Sequence, residues 1–209
     1  MKTLKINPNN PETELLKQAA NIIINGGVIG YPTETIYGLG ADALNEKAVK
    51  RIYELKGREK NKPILILAEN VEQVKQLTAS FPESAQILAK EFWPGPLTIV
   101  FPAADMLSGL LTGDNRTIGI RISDNKICQE LLKLTGVPIT STSANISGGE
   151  NPVSAVEVEK AFGDKLDLVI DGGKTCAGIP STVVLVVENS SVILREGAIP
   201  KSEIDEMMV

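Results

Sequence analysis

An α/β fold built on a mixed, twisted, open sheet is what this sequence predicts, and three observations carry the prediction. Short apolar runs of strand length, at residues 28–31, 64–67 and 97–101, alternate with stretches whose apolar residues recur at helical spacing. Parallel pairing is expected where a helix links two such runs. The runs at 182–187 and 192–195 are separated only by GluAsnSerSer, a hairpin-like connection that calls for antiparallel neighbours. Finally, 209 residues of 43% hydrophobic composition, undivided by a Pro/Ser/Gly-rich or charged linker, suffice for one substantial core, so residues 1–209 are expected to form one domain.

The elements follow in order. Asn10, Pro11 and Glu12 supply an N-cap, a first-turn proline and a first-turn acid, and Leu15, Leu16, Ala19, Ile22 and Ile23 then recur on one helical face. Gly26 and Gly27 end that helix, and residues 28–31 form a buried strand running into ProThrGluThrIleTyrGlyLeuGly, residues 32–40. Asn45 caps a helix through Ile52 and Leu55, followed by LysGlyArgGluLysAsnLysPro at 56–63 and a strand at 64–67. Helical patterns near 70–78 and 83–92 lead to TrpProGlyPro at 93–96, which breaks the second helix before a strand at 97–101. Residues 102–116 read as an irregular loop and 117–121 as a strand. Asp124 is the expected cap of a helix that reaches Leu134 and stops at Gly136. A helix near 154–162, a strand at 168–170, the hairpin and a short closing helix complete about eight strands and six helices.

Composition excludes several functions. The formal net charge of −5 argues against a broad nucleic-acid surface as the main role. Apolar runs such as residues 183–187 are too short to span a membrane, and the first ten residues lack the apolar stretch of a secretion signal. Cys128 and Cys176 are too few for a disulfide framework, so a cytoplasmic protein with reduced thiols is expected. The chain has no histidine, which removes Ser–His–Asp and Cys–His catalysis and histidine-ligated metals. Cys176 therefore lacks an activating partner. Chemistry must rest on hydroxyls, Lys/Arg, carboxylates, backbone dipoles, or a hard cation brought by a substrate.

Several segments could carry that chemistry. Residues 140–149, ThrSerThrSerAlaAsnIleSerGlyGly, follow the apolar Val137-Pro138-Ile139 with five hydroxyls, an amide and two glycines. They suit either the wall of a pocket for an anionic or polyhydroxy ligand or an ordinary polar loop. Lys56, Arg58, Lys60 and Lys62 put four cations into seven residues, forming either a triphosphate clamp or a solvated loop. As exposed loop cations, Lys56 and Arg58 are expected to contribute little stability. Arg121 ends an apolar strand, so its guanidinium needs an anionic partner, either a substrate carboxylate or a structural acid. Thr117 lies on the same strand face. Gly172, Gly173, Gly178, Ser181 and Thr182 form another hydroxyl-and-glycine stretch, and Arg195 ends a later strand. Glu34, Asp42 and Asp171 are the nearest acids and form no evident catalytic pair. Such a set binds and positions an anionic substrate, as nucleotidyl transfer requires.

The ordered set YPTETIYGLG, KGR, FWPGPLTIVF, TIGIRIS, PITSTSANISG, IDGG, PSTVV and VILREGAI resembles the threonylcarbamoyl-AMP synthase (TsaC/YrdC) family from about residue 15 to residue 199. The resemblance implies a YrdC-like twisted α/β sheet with helices around a deep cationic cavity. It implies conversion of L-threonine, bicarbonate and ATP to threonylcarbamoyl-AMP, pyrophosphate and water. Mg2+ would arrive with ATP, and the resemblance names no protein side chain as its ligand. The product would feed a downstream tRNA threonylcarbamoyl-transfer complex, with tRNA met indirectly. By the same resemblance Thr33, Leu65 or Leu67, Arg121, Ser141 and Ser181 would hold threonine. Lys56, Arg58, Lys60, Asn61, Thr117, Ser143, Asn145 and Arg195 would hold ATP, with Lys56 and Arg58 as the catalytic cations. The chain has the look of the single-domain form. Two other readings are an RNA-binding module of the same fold and a related branch without synthase activity. That branch is expected to lack the KGR and SerAlaAsn features present here.

Overall fold

The structure, a computed structural model, describes residues 2–59, 62–175, 178–188 and 190–208. Its strands are β1 (Lys2–Lys5), β2 (Ile29–Pro32), β3 (Tyr37–Gly40), β4 (Ile66–Leu67), β5 (Leu97–Pro102), β6 (Thr117–Arg121), β7 (Ile139–Thr140), β8 (Thr142–Ser143), β9 (Leu168–Asp171), β10 (Thr182–Val187) and β11 (Ser190–Arg195). The helices are α1 (Thr13–Ile24), α2 (Glu46–Lys56), α3 (Val71–Leu77), α4 (Glu83–Phe92), α5 (Gly109–Thr112), α6 (Lys126–Thr135), α7 (Ala155–Phe162) and α8 (Lys201–Met207). The α/β class and the mixing of parallel with antiparallel pairs are as expected. The strands are divided between two sheets, in the orders β1-β9-β2-β3-β8 and β11-β10-β5-β6-β4-β7. The predicted hairpin is the antiparallel β10–β11 pair, while β10 runs parallel to β5 on its other side.

Two apolar clusters form the core, and each draws residues from both sheets. In the first, Leu16, Ala19, Ala20 and Ile23 of α1 meet Ile127, Leu131 and Leu132 of α6 and the buried residues of β1, β2 and β9. In the second, β5, β6 and β10 pack against α2, α3 and α4 through residues such as Ile52, Leu88, Ile99, Phe101, Ile118 and Val184. Burial of these side chains is the main stabilising term. Among the described residues no helix is long and apolar enough to cross a membrane.

Several local expectations are corrected. Glu12, not Asn10, holds the N-cap position of α1 and makes no side-chain capping bond; its carboxylate accepts from Asn7 N–H at 3.0 Å instead. Asn125, not Asp124, caps α6, accepting from the Ile127 and Cys128 N–H groups. The loop at 102–116 holds the short helix α5, capped by Ser108. β1 went unseen because only Leu4 of its four residues is buried, leaving no alternation to read. β3 was hidden by its glycines. They are there because the Tyr31 ring lies across the strand: a Cβ on Gly40 would sit 2.8 Å from Tyr31 Cε1.

Candidate functional site

The two sheets meet at residues 139–143. β7 pairs with β4 of the six-stranded sheet, and β8 pairs with β3 of the five-stranded sheet. Thr140 is the pin: its N–H donates to Ala41 O, while its buried hydroxyl donates to Leu39 O and accepts from Ala41 N–H, all at 2.9 Å. Tyr31 Oη donates to Thr140 O at 2.9 Å. The segment therefore crosses from sheet to sheet with Ser141 at the crossing. A cleft opens there, lined among others by Thr33, Thr35, Arg58, Leu65, Arg121, Ser141, Ser143, Asn151, Ser181 and Arg195. Three guanidinium groups on an otherwise hydroxyl-rich wall make a site for an anion.

Arg121 is 5% exposed and finds its anion in Glu34, closing a buried ion pair. Ser123 Oγ donates to the second Glu34 oxygen and accepts from Asn125 N–H, which ties this pair to the start of α6. The remaining Arg121 contacts are Thr35 Oγ1 and Ser141 Oγ, each at 3.2 Å. Glu34 is thus the structural acid that the sequence left open as one of two partners for Arg121. Thr33 is turned inward: its hydroxyl donates to Ile36 O at 2.7 Å and accepts from Thr35 and Ile36 N–H, so Thr35 is the threonine that faces Arg121. Cys128 is buried beside this network, and burial pushes its thiol far above the ordinary range, so it is no nucleophile.

Lys56 corrects the picture of an exposed loop cation. It is the last residue of α2, is 1% exposed, and spends all three ammonium hydrogens on Ser143 O, Asn145 O (2.7 Å) and Asn145 Oδ1 (3.1 Å). Burial, with the Arg58 charge second, pulls it down to about 7. Ser147 N–H returns a bond to Lys56 O at 2.9 Å, and Asn145 Nδ2 donates to Gly149 O. Residues 143–149 are thus sewn to the end of α2. Gly57 makes the turn possible, closing the helix in the left-handed region at φ 58°. Arg58 is half-buried, donates to Lys62 O and Pro63 O, and reaches the cleft. A second depression, lined by Lys56, Lys62, Asn145, Ser147 and Gly148, shares Arg58, Ser143 and Asn151 with the first.

On the far wall Arg195 donates to Ser181 O (2.8 Å) and Ser181 Oγ (3.2 Å), and Ser181 Oγ lies 2.8 Å from Thr98 Oγ1. Gly197 allows this approach: a Cβ there would sit 2.3 Å from Pro180 O and 2.6 Å from Ser181 O. Both are backbone atoms that cannot swing away. Gly197→Ala is expected to lower stability by about 1–3 kcal/mol, read as a lower urea midpoint at unchanged m-value.

Of the residues named from sequence, Thr33, Leu65, Arg58, Arg121, Ser141, Ser143, Ser181 and Arg195 converge on the cleft, and Lys56 and Asn145 on the adjoining depression. Leu67 is buried in β4 between Arg121 and Ile139 as strand partners and is not among the cleft-lining residues. Thr117 pairs with Pro102 at the other end of β6, about 13 Å along the strand from Arg121. Lys60, Asn61 and Cys176 lie outside the described residues. Glu34, Thr35, Ser123, Thr98 and Asn151 were not assigned roles from sequence. Thr35 and Glu34 lay within the ProThrGluThr motif and could have been found from it. Nothing in the local pattern singles out Thr98 or Asn151.

Residues 21–197 match the Sua5/YciO/YrdC family model, described by the phrase telomere recombination. The threonylcarbamoyl-AMP synthases of Pyrococcus abyssi and Bacillus subtilis are 43% and 38% identical over 92% and 99% of this chain. The chain spans 57% and 59% of the lengths of those two relatives. That of Marinobacter nauticus is 34% identical, over 86% of this chain and 95% of its own. The crystal structure of P. abyssi Sua5 complexed with L-threonine superposes with a TM-score of 0.95 at 40% identity, over 99% of this chain and 61% of that one. Escherichia coli YciO superposes at 0.86 and 29% identity, over 95% and 97%. With the family model matching most of its length, the chain belongs to the Sua5/YciO/YrdC family.

Proposed function

We propose that this protein is an L-threonylcarbamoyladenylate synthase, a nucleotidyltransferase that joins L-threonine, bicarbonate or CO2, and ATP. The observation that carries this reading is one cleft in which Arg121, hydrogen-bonded to Ser141 and Thr35, lies with the cations Arg58 and Arg195 and with Ser143, while Asn145 lines the adjoining depression. The amino-acid carboxylate takes Arg121 and Ser141. The neutral amine attacks CO2 to give a carbamate, and a carbamate oxygen attacks the α-phosphorus of ATP as the bond to the β-phosphate breaks. Water is the further product when bicarbonate supplies the carbon. Arg58 and Arg195 offset charge on the departing pyrophosphate. Lys56, its donors committed, shapes the nucleotide side by holding residues 143–149.

Magnesium enters with ATP, as part of that substrate. Among the described residues no group of three or more His, Cys, Asp or Glu could hold a metal ion. The product serves a cytoplasmic enzyme complex that transfers threonylcarbamoyl to tRNA. Purified protein is expected to release pyrophosphate from ATP only when L-threonine and bicarbonate are both present, with threonylcarbamoyl-AMP recovered by chromatography. Pyrophosphate release indifferent to threonine would overturn the assignment.

A further inference from the structure

The hydrogen inventory behind Ser181 carries one step more. Thr98 lies in β5, is fully buried, and does not line the cleft. Among the described residues its hydroxyl has one side-chain partner, Ser181 Oγ at 2.8 Å. A buried hydroxyl whose hydrogen goes unused costs about 1–3 kcal/mol, so the Thr98 hydrogen belongs on Ser181 Oγ. Arg195 Nη2 donates to the same oxygen at 3.2 Å. A serine hydroxyl has two lone pairs and one hydrogen. With one lone pair filled by Thr98 from behind and the other by Arg195 alongside it in the cleft wall, the Ser181 hydrogen is the group left for the cleft that Ser181 lines.

We propose that Thr98 is a positioning residue that fixes Ser181 as a hydrogen-bond donor, and that this donor selects an amino acid with a β-oxygen over its isosteric hydrocarbon counterpart. The proposal rests on the threonine reading above and deepens it. With Arg121 and Ser141 holding the α-carboxylate, a donor on the facing wall meets the side chain. An oxygen there completes the bond, and a methyl group leaves the Ser181 hydrogen without an acceptor. An oxygen that accepts two bonds also donates more strongly, so removing Thr98 both frees the hydroxyl to rotate and weakens it.

The test compares dissociation constants for L-threonine and L-valine, measured calorimetrically with ATP present, in wild type, Thr98→Val and Thr98→Ser. Valine at position 98 keeps the shape of threonine, and the native Cγ2 already packs on Gly119. The wild type is expected to prefer L-threonine. Thr98→Val should lose roughly fivefold to tenfold of that preference, and Thr98→Ser should restore it. A general loosening of the cleft would weaken both ligands together and leave their ratio unchanged. A Thr98→Val protein with the wild-type ratio, or a Thr98→Ser protein that fails to recover it, would overturn the proposal while leaving the synthase reading intact. Wild type that binds no L-threonine would overturn both.

Discussion

Replacing Arg121 by alanine is expected to destabilise the fold by about 3–5 kcal/mol and to cut threonylcarbamoyl-AMP formation at least ~100-fold. The two effects have separate causes. Glu34 and Arg121 have side chains 12% and 6% exposed, so removing the guanidinium leaves a carboxylate with, among the described residues, only Ser123 against it in a place water barely reaches. Breaking a buried pair from one side costs far more than the intact pair is worth. Under the proposed function, activity falls because the same guanidinium, hydrogen-bonded to Ser141, is the group that would take the substrate carboxylate. The double variant Arg121→Met/Glu34→Leu separates them: most of the stability should return because no charge is stranded, while activity stays lost. Urea midpoints and the product assay give the two readings. Recovery of activity in the double variant would remove Arg121 from substrate binding.

Glu34 also shows what could and could not be read in advance. The composition of residues 140–149 suited a pocket wall, and the structure makes it one. What made the segment a wall was invisible: it crosses between two sheets, pinned by Thr140, a residue with no assigned role. A single sheet was expected because strand patterns give pairing partners no address, and β7 and β8 have two residues each. Arg121 was legible as a buried cation because apolar neighbours precede it. Its partner was not, since Glu34 is 87 positions away in sequence. Lys56 was misread for a related reason. A charge at a helix end beside glycine and other cations has the local signature of solvent exposure. Its burial depends on carbonyls from Ser143 and Asn145, which only the fold brings near. The same holds for Thr98, whose importance exists only through Ser181.

Lys56→Met is the second large expected effect, and here pH separates two contributions. Methionine fills the space of the stem but leaves Ser143 O and Asn145 O without the donor they have now. Asn145 Oδ1 keeps Ser143 Oγ at 2.7 Å. At about 1–3 kcal/mol for each of the two acceptors left unsatisfied, the variant should lose roughly 2–6 kcal/mol near neutral pH and release residues 143–149 from α2. Activity is expected to fall with it, since Ser143 and Arg58 flank the same cleft. The pH dependence follows from burial, which lowers the Lys56 ammonium to about 7, whereas in the unfolded chain it titrates near ~10.4. Below about 7 both states hold the proton. Between about 7 and 10 the unfolded chain holds a proton that the folded protein has released, so unfolding takes up a proton and stability rises with pH. The wild-type advantage over Lys56→Met should therefore grow across that window by as much as ~1.4 kcal/mol per pH unit. The tether behaves in the opposite sense, because a neutral amine has two hydrogens for three acceptors. Amide exchange in residues 143–149, corrected for the intrinsic rate, should quicken above pH 7 in the wild type and be fast at every pH in the variant. Denaturation of both proteins at pH 6, 8 and 10 decides the point. A constant difference would mean that three carbonyl and amide oxygens hold the ammonium against its burial.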